Sequence, residues 1–152
     1  MLPVMPVAVG EMAPDFVLKD QNNQDVRLSD FRARRPVLLV FYPLAFTSVC
    51  GSELHSLSSL PAGVQVLTVS VDSMFTHRAW ADAENFQFGL LADFWPHGAV
   101  AQAYGVLDEA RGVSTRGTFV IDKEGIVRWK VVNPIPQARD IADYQKALAA
   151  LA

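Results

Sequence analysis

Apolar residues run without a polar break through Val37-Leu38-Leu39-Val40-Phe41-Tyr42. This β-branched, aliphatic and aromatic segment suits a strand covered on both faces. Pro43 has no N–H to give a ladder and ends it. Beyond it the period changes: Leu54, Leu57 and Leu60 recur at threes, which predicts a helix over 48–60 closed by Pro61-Ala62-Gly63. A second core strand is predicted for 64–71, followed by a helix over 74–86 carrying Phe75, Ala79 and Trp80. Upstream, 16–20 and 25–28 are short strand-like runs joined by Gln21-Asn22-Asn23-Gln24, a small hairpin or extended arm. Downstream come a short apolar run at 88–91, an aromatic loop Asp93-Phe94-Trp95-Pro96-His97-Gly98 and a helix over 99–104. A hairpin then forms from 117–122 and 126–131 around Lys123-Glu124-Gly125, and a last amphipathic helix over 139–151 puts Ile141, Tyr144, Leu148 and Leu151 on one face.

A parallel βαβ unit followed by an antiparallel hairpin and a helix is the element order of an α/β thioredoxin-like fold with insertions. One domain over 1–152 is expected, since this length buries a core without staples. At 51% hydrophobic and 19% charged the composition is that of an ordinary globular chain. The net charge of −3, with only Arg32, Arg34 and Arg35 clustered, argues against nucleic acid as a partner. No phosphate-binding glycine loop is present. Met1-Leu2-Pro3-Val4-Met5-Pro6 has two prolines and no basic stretch and reads as a poor signal peptide. No apolar run approaches the ~18 residues of a membrane helix, so no membrane partner is expected. A single cysteine excludes an intrachain disulfide and agrees with a reducing, cytoplasmic location.

That cysteine, Cys50, falls in the first turn of the 48–60 helix, just past the proline break and off the leucine stripe. Free cysteines are often inert core filler, but a helix start leaves backbone N–H groups unpaired and favours a thiolate. Thr47 lies three residues earlier, where its hydroxyl would cap the helix and reach the sulfur or a bound oxygen. His55, His77, His97 and Asp93 lack metal-ligand spacing with Cys50, and no metal or other cofactor is expected. His77 reads as a helix-surface histidine, and Asp15, Asp20, Asp72 and Asp122 as caps of loops and turns.

Pro43-Leu44-Ala45-Phe46-Thr47-Ser48-Val49-Cys50 resembles the Pro-x-x-x-Thr-x-x-Cys active-site segment of the peroxiredoxins. The stretch from Ser70-Val71-Asp72-Ser73 to His77-Arg78-Ala79-Trp80 is similar to their second strand-to-helix passage. Arg116-Gly117-Thr118-Phe119 is similar to the segment that supplies their active-site arginine. With the 93–100 segment, the motifs look most like the one-cysteine alkyl hydroperoxide reductase E group. The resemblance implies the peroxiredoxin variant of the thioredoxin-like fold, a central mixed sheet flanked by helices, and a thiol-dependent peroxidase reducing hydrogen peroxide, organic hydroperoxides or peroxynitrite. It makes Cys50 the peroxidatic cysteine, Thr47 and Arg116 the groups that hold thiolate and peroxide, and Pro43 the shield over the sulfenic acid. Glu53 matches a position that orients the arginine in relatives; read by itself it is equally a solvated first-turn glutamate. Trp80 reads as core packed near the site.

Two departures stand out. Where a resolving cysteine often lies five residues on, this chain has His55, and Gly51 replaces a proline that often follows the peroxidatic cysteine. The resemblance then implies an external thiol reductant: a low-molecular-weight thiol with a glutaredoxin-like protein such as mycoredoxin, or thioredoxin. It also implies a homodimer or higher homo-oligomer, for which Phe46, Phe75, Phe94 and Trp95 offer an aromatic patch; the same residues would equally pack a core. The alternative function is a thioredoxin-fold binding or holdase module without peroxidase activity. A thiol–disulfide oxidoreductase lacks its Cys-x-x-Cys pair.

Overall fold

A computed structural model describes residues 6–151. The signal-peptide reading falls almost wholly on 1–5, which lie outside the described residues. Among the described residues nine strands and four α-helices follow in order: β1 (Val17–Lys19), β2 (Asp25–Arg27), β3 (Val37–Phe41), α1 (Ser48–Ser56), β4 (Gln65–Ser70), α2 (Met74–Glu84), β5 (Gly89–Ala92), α3 (Ala99–Ala103), β6 (Leu107–Asp108), β7 (Val113–Ser114), β8 (Arg116–Ile121), β9 (Val127–Asn133) and α4 (Ile141–Ala149).

Seven strands form one mixed sheet in the order β2-β1-β5-β4-β3-β8-β9. The βαβαβ path makes β3, β4 and β5 parallel, whereas β8 runs antiparallel to β3, and β6 and β7 form a separate small hairpin. β3 is buried throughout because its two faces serve two cores. Leu38, Val40 and Tyr42 face α1, α2 and α4 and pack with Leu54, Trp80 and Leu148. Leu39 and Phe41 face the other way, onto Tyr104, Val100 and Phe119. At about 1.5–3 kcal/mol for each fully buried large apolar side chain, this two-sided strand is firmly anchored in the sheet.

The carboxyl ends of β3 and β4 lie side by side, with the Tyr42 amide donating to Val69 O at 3.0 Å. The β3–β8 register pairs Val40 with Thr118, so Arg116, two residues before Thr118, lies level with Tyr42 and next to Pro43. Gly117 permits this: a Cβ there would stand 2.8 Å from Val106 Cγ1.

Several sequence expectations are corrected. α1 ends at Ser56 and passes into a 3-10 turn, Leu57–Ser59, rather than running to 60. The buried face of α2 is His77, Trp80 and Ala81, while Phe75 and Ala79 are exposed. His77 is fully buried, not on the surface. α4 starts at Ile141, where Asp140 accepts from the Ala142 amide and caps it, leaving Arg139 outside the helix. The β6–β7 pair had no sequence signal, two-residue strands being too short to show a period. The acidic caps are present: Asp15 accepts from Ser29 N, Asp20 from Asn22 N and Gln24 N, and Asp122 from Glu124 N and Ile126 N.

Candidate active site

Cys50 occupies the third residue of α1. Thr47 is the N-cap residue, in extended backbone at φ −111 and ψ 150, and its carbonyl accepts the first helical hydrogen bond, from Gly51 N at 2.9 Å. Gly51 thus supplies an amide that a proline would lack. The Thr47 hydroxyl does not cap the helix; it donates to Leu44 O at 2.7 Å and closes the turn. Cys50 is not off the apolar stripe. The spacing 50, 54, 57 is i, i+4, i+7, and Cys50 is buried in the same cluster as Leu54 and Leu57.

What distinguishes this buried thiol from filler is its neighbour. Arg116 Nη1 lies 3.2 Å from Cys50 Sγ and donates to Glu53 Oε1 at 2.5 Å, while Arg116 Nε donates to Ile135 O at 2.5 Å. Glu53 is buried rather than solvated, one turn after Cys50 on α1. Its second partner is Arg139, which donates through the backbone amide and Nε to Oε2, both at 2.8 Å, and through Nη2 to Oε1 at 2.9 Å. Arg139 Nη1 reaches Phe41 O, Gly117 O and Thr118 Oγ1 at 2.7, 2.9 and 3.0 Å, tying the cluster to β3 and β8. Burial pushes the Glu53 carboxyl up, but the hydrogen bonds and charge of Arg139, with the charge of Arg116, bring it below the usual carboxylate range.

Two buried guanidiniums thus share one carboxylate, and one of them, Arg116, also turns an N–H toward the Cys50 sulfur. Above them opens a cavity of about 410 Å³ lined by Pro43, Thr47, Cys50 and Arg116 and walled by Leu44, Val49, Val113, Ile135 and Pro136, with Arg111 as a further cation. The arrangement presents sulfur and a hydrogen-bond donor together in a mostly apolar pocket.

Trp80 stands aside from this cavity, packed against Tyr42, Phe46 and Phe86 with ring centroids 5.6, 6.0 and 5.0 Å away. His55 pairs with Glu84 on the surface, and His97 Nε2 lies 2.6 Å from Gly112 O. Phe46, Phe75, Phe94 and Trp95 are each more than half exposed, so they do not fill the core. Arg139 escaped the sequence reading, which placed it at the start of the last helix; Asp140 as an N-cap before Ile141 was the available signal that it lies in the preceding loop.

A model of the AhpC/TSA family matches residues 9–130. The chain is 49% identical over 148 residues to alkyl hydroperoxide reductase E of Mycobacterium tuberculosis, covering 94% of this chain and 97% of that protein. It is 38% identical over 148 residues to peroxiredoxin-2 of Mus musculus, covering 88% of this chain and 73% of the relative. Among solved structures, the reduced 2-Cys peroxiredoxin of Plasmodium vivax superposes with a TM-score of 0.83 at 32% identity, covering 96% of this chain and 82% of that one. Mycobacterium tuberculosis AhpC superposes with a TM-score of 0.85 at 24% identity, covering 96% and 93%, a likeness that bears on the fold.

Proposed function

The chain belongs to the AhpC/TSA family of peroxiredoxins, which are thiol-dependent peroxidases, and from that premise we propose that it works with one cysteine, Cys50, recycled by an outside thiol. The observation that carries the reading is the 3.2 Å contact between Cys50 Sγ and Arg116 Nη1 at the floor of the cavity.

In the first step the Cys50 thiolate attacks one oxygen of the peroxide. The S–O bond forms as the O–O bond breaks, the other oxygen leaves as hydroxide or alkoxide and takes up a proton, and the sulfur is oxidised to sulfenic acid. Arg116 donates to the oxygen on which charge builds, a contact stronger in the transition state than in the bound peroxide. Glu53 fixes the guanidinium, and Arg139 fixes Glu53. Thr47, its proton committed to Leu44 O, keeps oxygen lone pairs to accept from the peroxide O–H. Pro43 lines the cavity without an N–H of its own and keeps water from the sulfenic acid.

In the second step an external thiol attacks the sulfenic sulfur and releases water, and a second thiol frees Cys50 from the mixed disulfide. The lone cysteine supports this one-cysteine route and a reducing, cytoplasmic setting. A low-molecular-weight thiol with a glutaredoxin-like protein such as mycoredoxin, or thioredoxin, is the proposed reductant. The apolar walls support organic hydroperoxides as substrates beside hydrogen peroxide and peroxynitrite. The exposed Phe46, Phe75, Phe94 and Trp95 support a homodimer or higher homo-oligomer. The whole of 1–152 is taken as one domain. Family membership does not favour the binding-module alternative.

The test is single-turnover stopped-flow mixing of reduced protein with hydrogen peroxide or a fatty-acid hydroperoxide, with a sulfenic-acid trap located by mass spectrometry. Oxidation far faster than that of free cysteine, with the trap on Cys50 and no reaction in Cys50→Ser, is expected. A rate no better than free cysteine would overturn the proposal.

A further inference from the structure

The loop 43–47, which brings Pro43 and Thr47 to Cys50, is anchored from outside itself. Phe46 holds a left-handed backbone at φ 61, a conformation that residues with a Cβ rarely adopt. The amide just before it, Ala45 N, donates to Asp72 Oδ2 at 2.8 Å. The two meet because the carboxyl ends of β3 and β4 are neighbours in the sheet.

Asp72 is itself held. Its Oδ2 also lies 2.7 Å from Ser70 Oγ, and Ser70 Oγ lies 2.7 Å from His77 Nε2. A carboxylate only accepts, so the single Ser70 hydroxyl proton goes to Asp72 and His77 Nε2–H is the donor to Ser70. Ser70 and His77 are fully buried, and this chain of bonds ends at the loop, on the Ala45 amide.

We propose that Asp72 is a positioning residue for the peroxide reaction: fixed by Ser70 and His77, it holds the Ala45 amide and so sets the loop that presents Thr47 to Cys50. The inference rests on the peroxidase reading above. Without the Asp72 oxygen the Ala45 amide loses its partner, the left-handed Phe46 is no longer constrained, and Thr47, the first residue to accept a helical bond in α1, shifts against the sulfur.

The test is a double-mutant cycle. Asp72→Ala and Asp72→Asn are made in the parent and in Thr47→Ala, and each is read for its single-turnover rate with hydrogen peroxide and for Cys50 alkylation by iodoacetamide at the same pH. Asp72→Ala is expected to slow the peroxide reaction about tenfold to hundredfold while alkylation stays within about threefold. Asp72→Asn, whose side-chain oxygen can take both hydrogen bonds, is expected to restore the peroxide rate to within about threefold of the parent. In Thr47→Ala the effect of Asp72→Ala should fall below about threefold, because the group it positions is gone. An equal loss in both backgrounds, an Asp72→Asn variant as slow as Asp72→Ala, or an Asp72→Ala variant as fast as the parent would each overturn the inference. If Asp72→Ala does not fold, Ser70→Ala takes its place in the cycle. A slowing confined to the Thr47 background then supports the inference, and an unchanged or background-independent rate overturns it. A parent no faster than free cysteine defeats the peroxidase reading itself, whereas a fast parent with a fast Asp72→Ala variant defeats the positioning role alone.

Discussion

Replacing Glu53 by glutamine removes one charge and almost no volume from the carboxylate that both buried arginines share. Glu53 Oε1 accepts from Arg116 Nη1 and Arg139 Nη2, and Oε2 accepts from the Arg139 amide and Nε. Glutamine keeps one oxygen and turns an NH2 group toward the donors at the other, so two hydrogen bonds become donor–donor contacts. The side chains of Arg116 and Arg139 are only 4% and 1% exposed, so water cannot take the carboxylate's place. Breaking a buried ion pair from one side costs about 3–5 kcal/mol, against a total stability of about 5–15 kcal/mol for a domain. Urea unfolding at pH 7, followed by circular dichroism, should therefore show Glu53→Gln less stable by about that amount. The pH dependence has a definite sign. The folded carboxyl titrates below its unfolded value of 4.5, so its contribution is complete above that pH and is lost as pH falls through the folded value; the gap between parent and variant should close in acid. Arg116 also loses an anchor, and the peroxide reaction should slow about hundredfold. Alkylation of Cys50 should not slow, because removing an anion beside the sulfur does not disfavour its thiolate. A variant that unfolds within about 1 kcal/mol of the parent and consumes peroxide at the parental rate would refute this account of Glu53. A parallel fall in alkylation would refute the part assigned to arginine orientation.

Arg116→Ala should slow peroxide reduction by about 10²–10³ and alkylation at high pH by far less; equal losses in the two assays would argue against a contact with the peroxide. His77 gives a second pH signature. Burial, opposed by the Asp72 charge, holds its imidazole down to about 4 from 6.5, so on acidification the unfolded chain takes the proton first. Stability is complete above 6.5 and lost progressively toward 4, by up to about 3 kcal/mol at 1.36 kcal/mol per pH unit. His77→Gln lacks this titration, and its urea stability relative to the parent should rise by that amount between pH 7 and 4, whereas a constant difference would count against a neutral buried imidazole. Phe75→Asp and Trp95→Asp place a charge on side chains 77% and 81% exposed. Sedimentation velocity should show them shifted toward single chains with unchanged thermal stability, and an unaltered assembly state would remove the aromatic patch from the interface.

Much of the fold was legible because it is local. The unbroken run of β3 states that both faces of a strand are covered, Pro43 states where it stops, and the leucine spacing states that a helix follows, which together put Cys50 at a helix start. Cys50 was misread as lying off the apolar stripe, and Phe75 was left open between surface and core, for one reason: an apolar period shows that a stripe exists, while the neighbouring elements decide which residues it includes. The polar residues were least legible. Nothing near Glu53 in the chain separates a solvated glutamate from a buried one, since its partners Arg116 and Arg139 lie 63 and 86 residues away. His77 became a buried link because β4 and α2 close around it, and Asp72 became the anchor of the 43–47 loop because β3 and β4 end side by side. The sequence by itself determined the core strands and the helix start that carries the lone cysteine, both functions of near-neighbour spacing. Only the tertiary structure decided which charges are buried together, because desolvation and pairing depend on groups brought close by the sheet register and not by the order of residues.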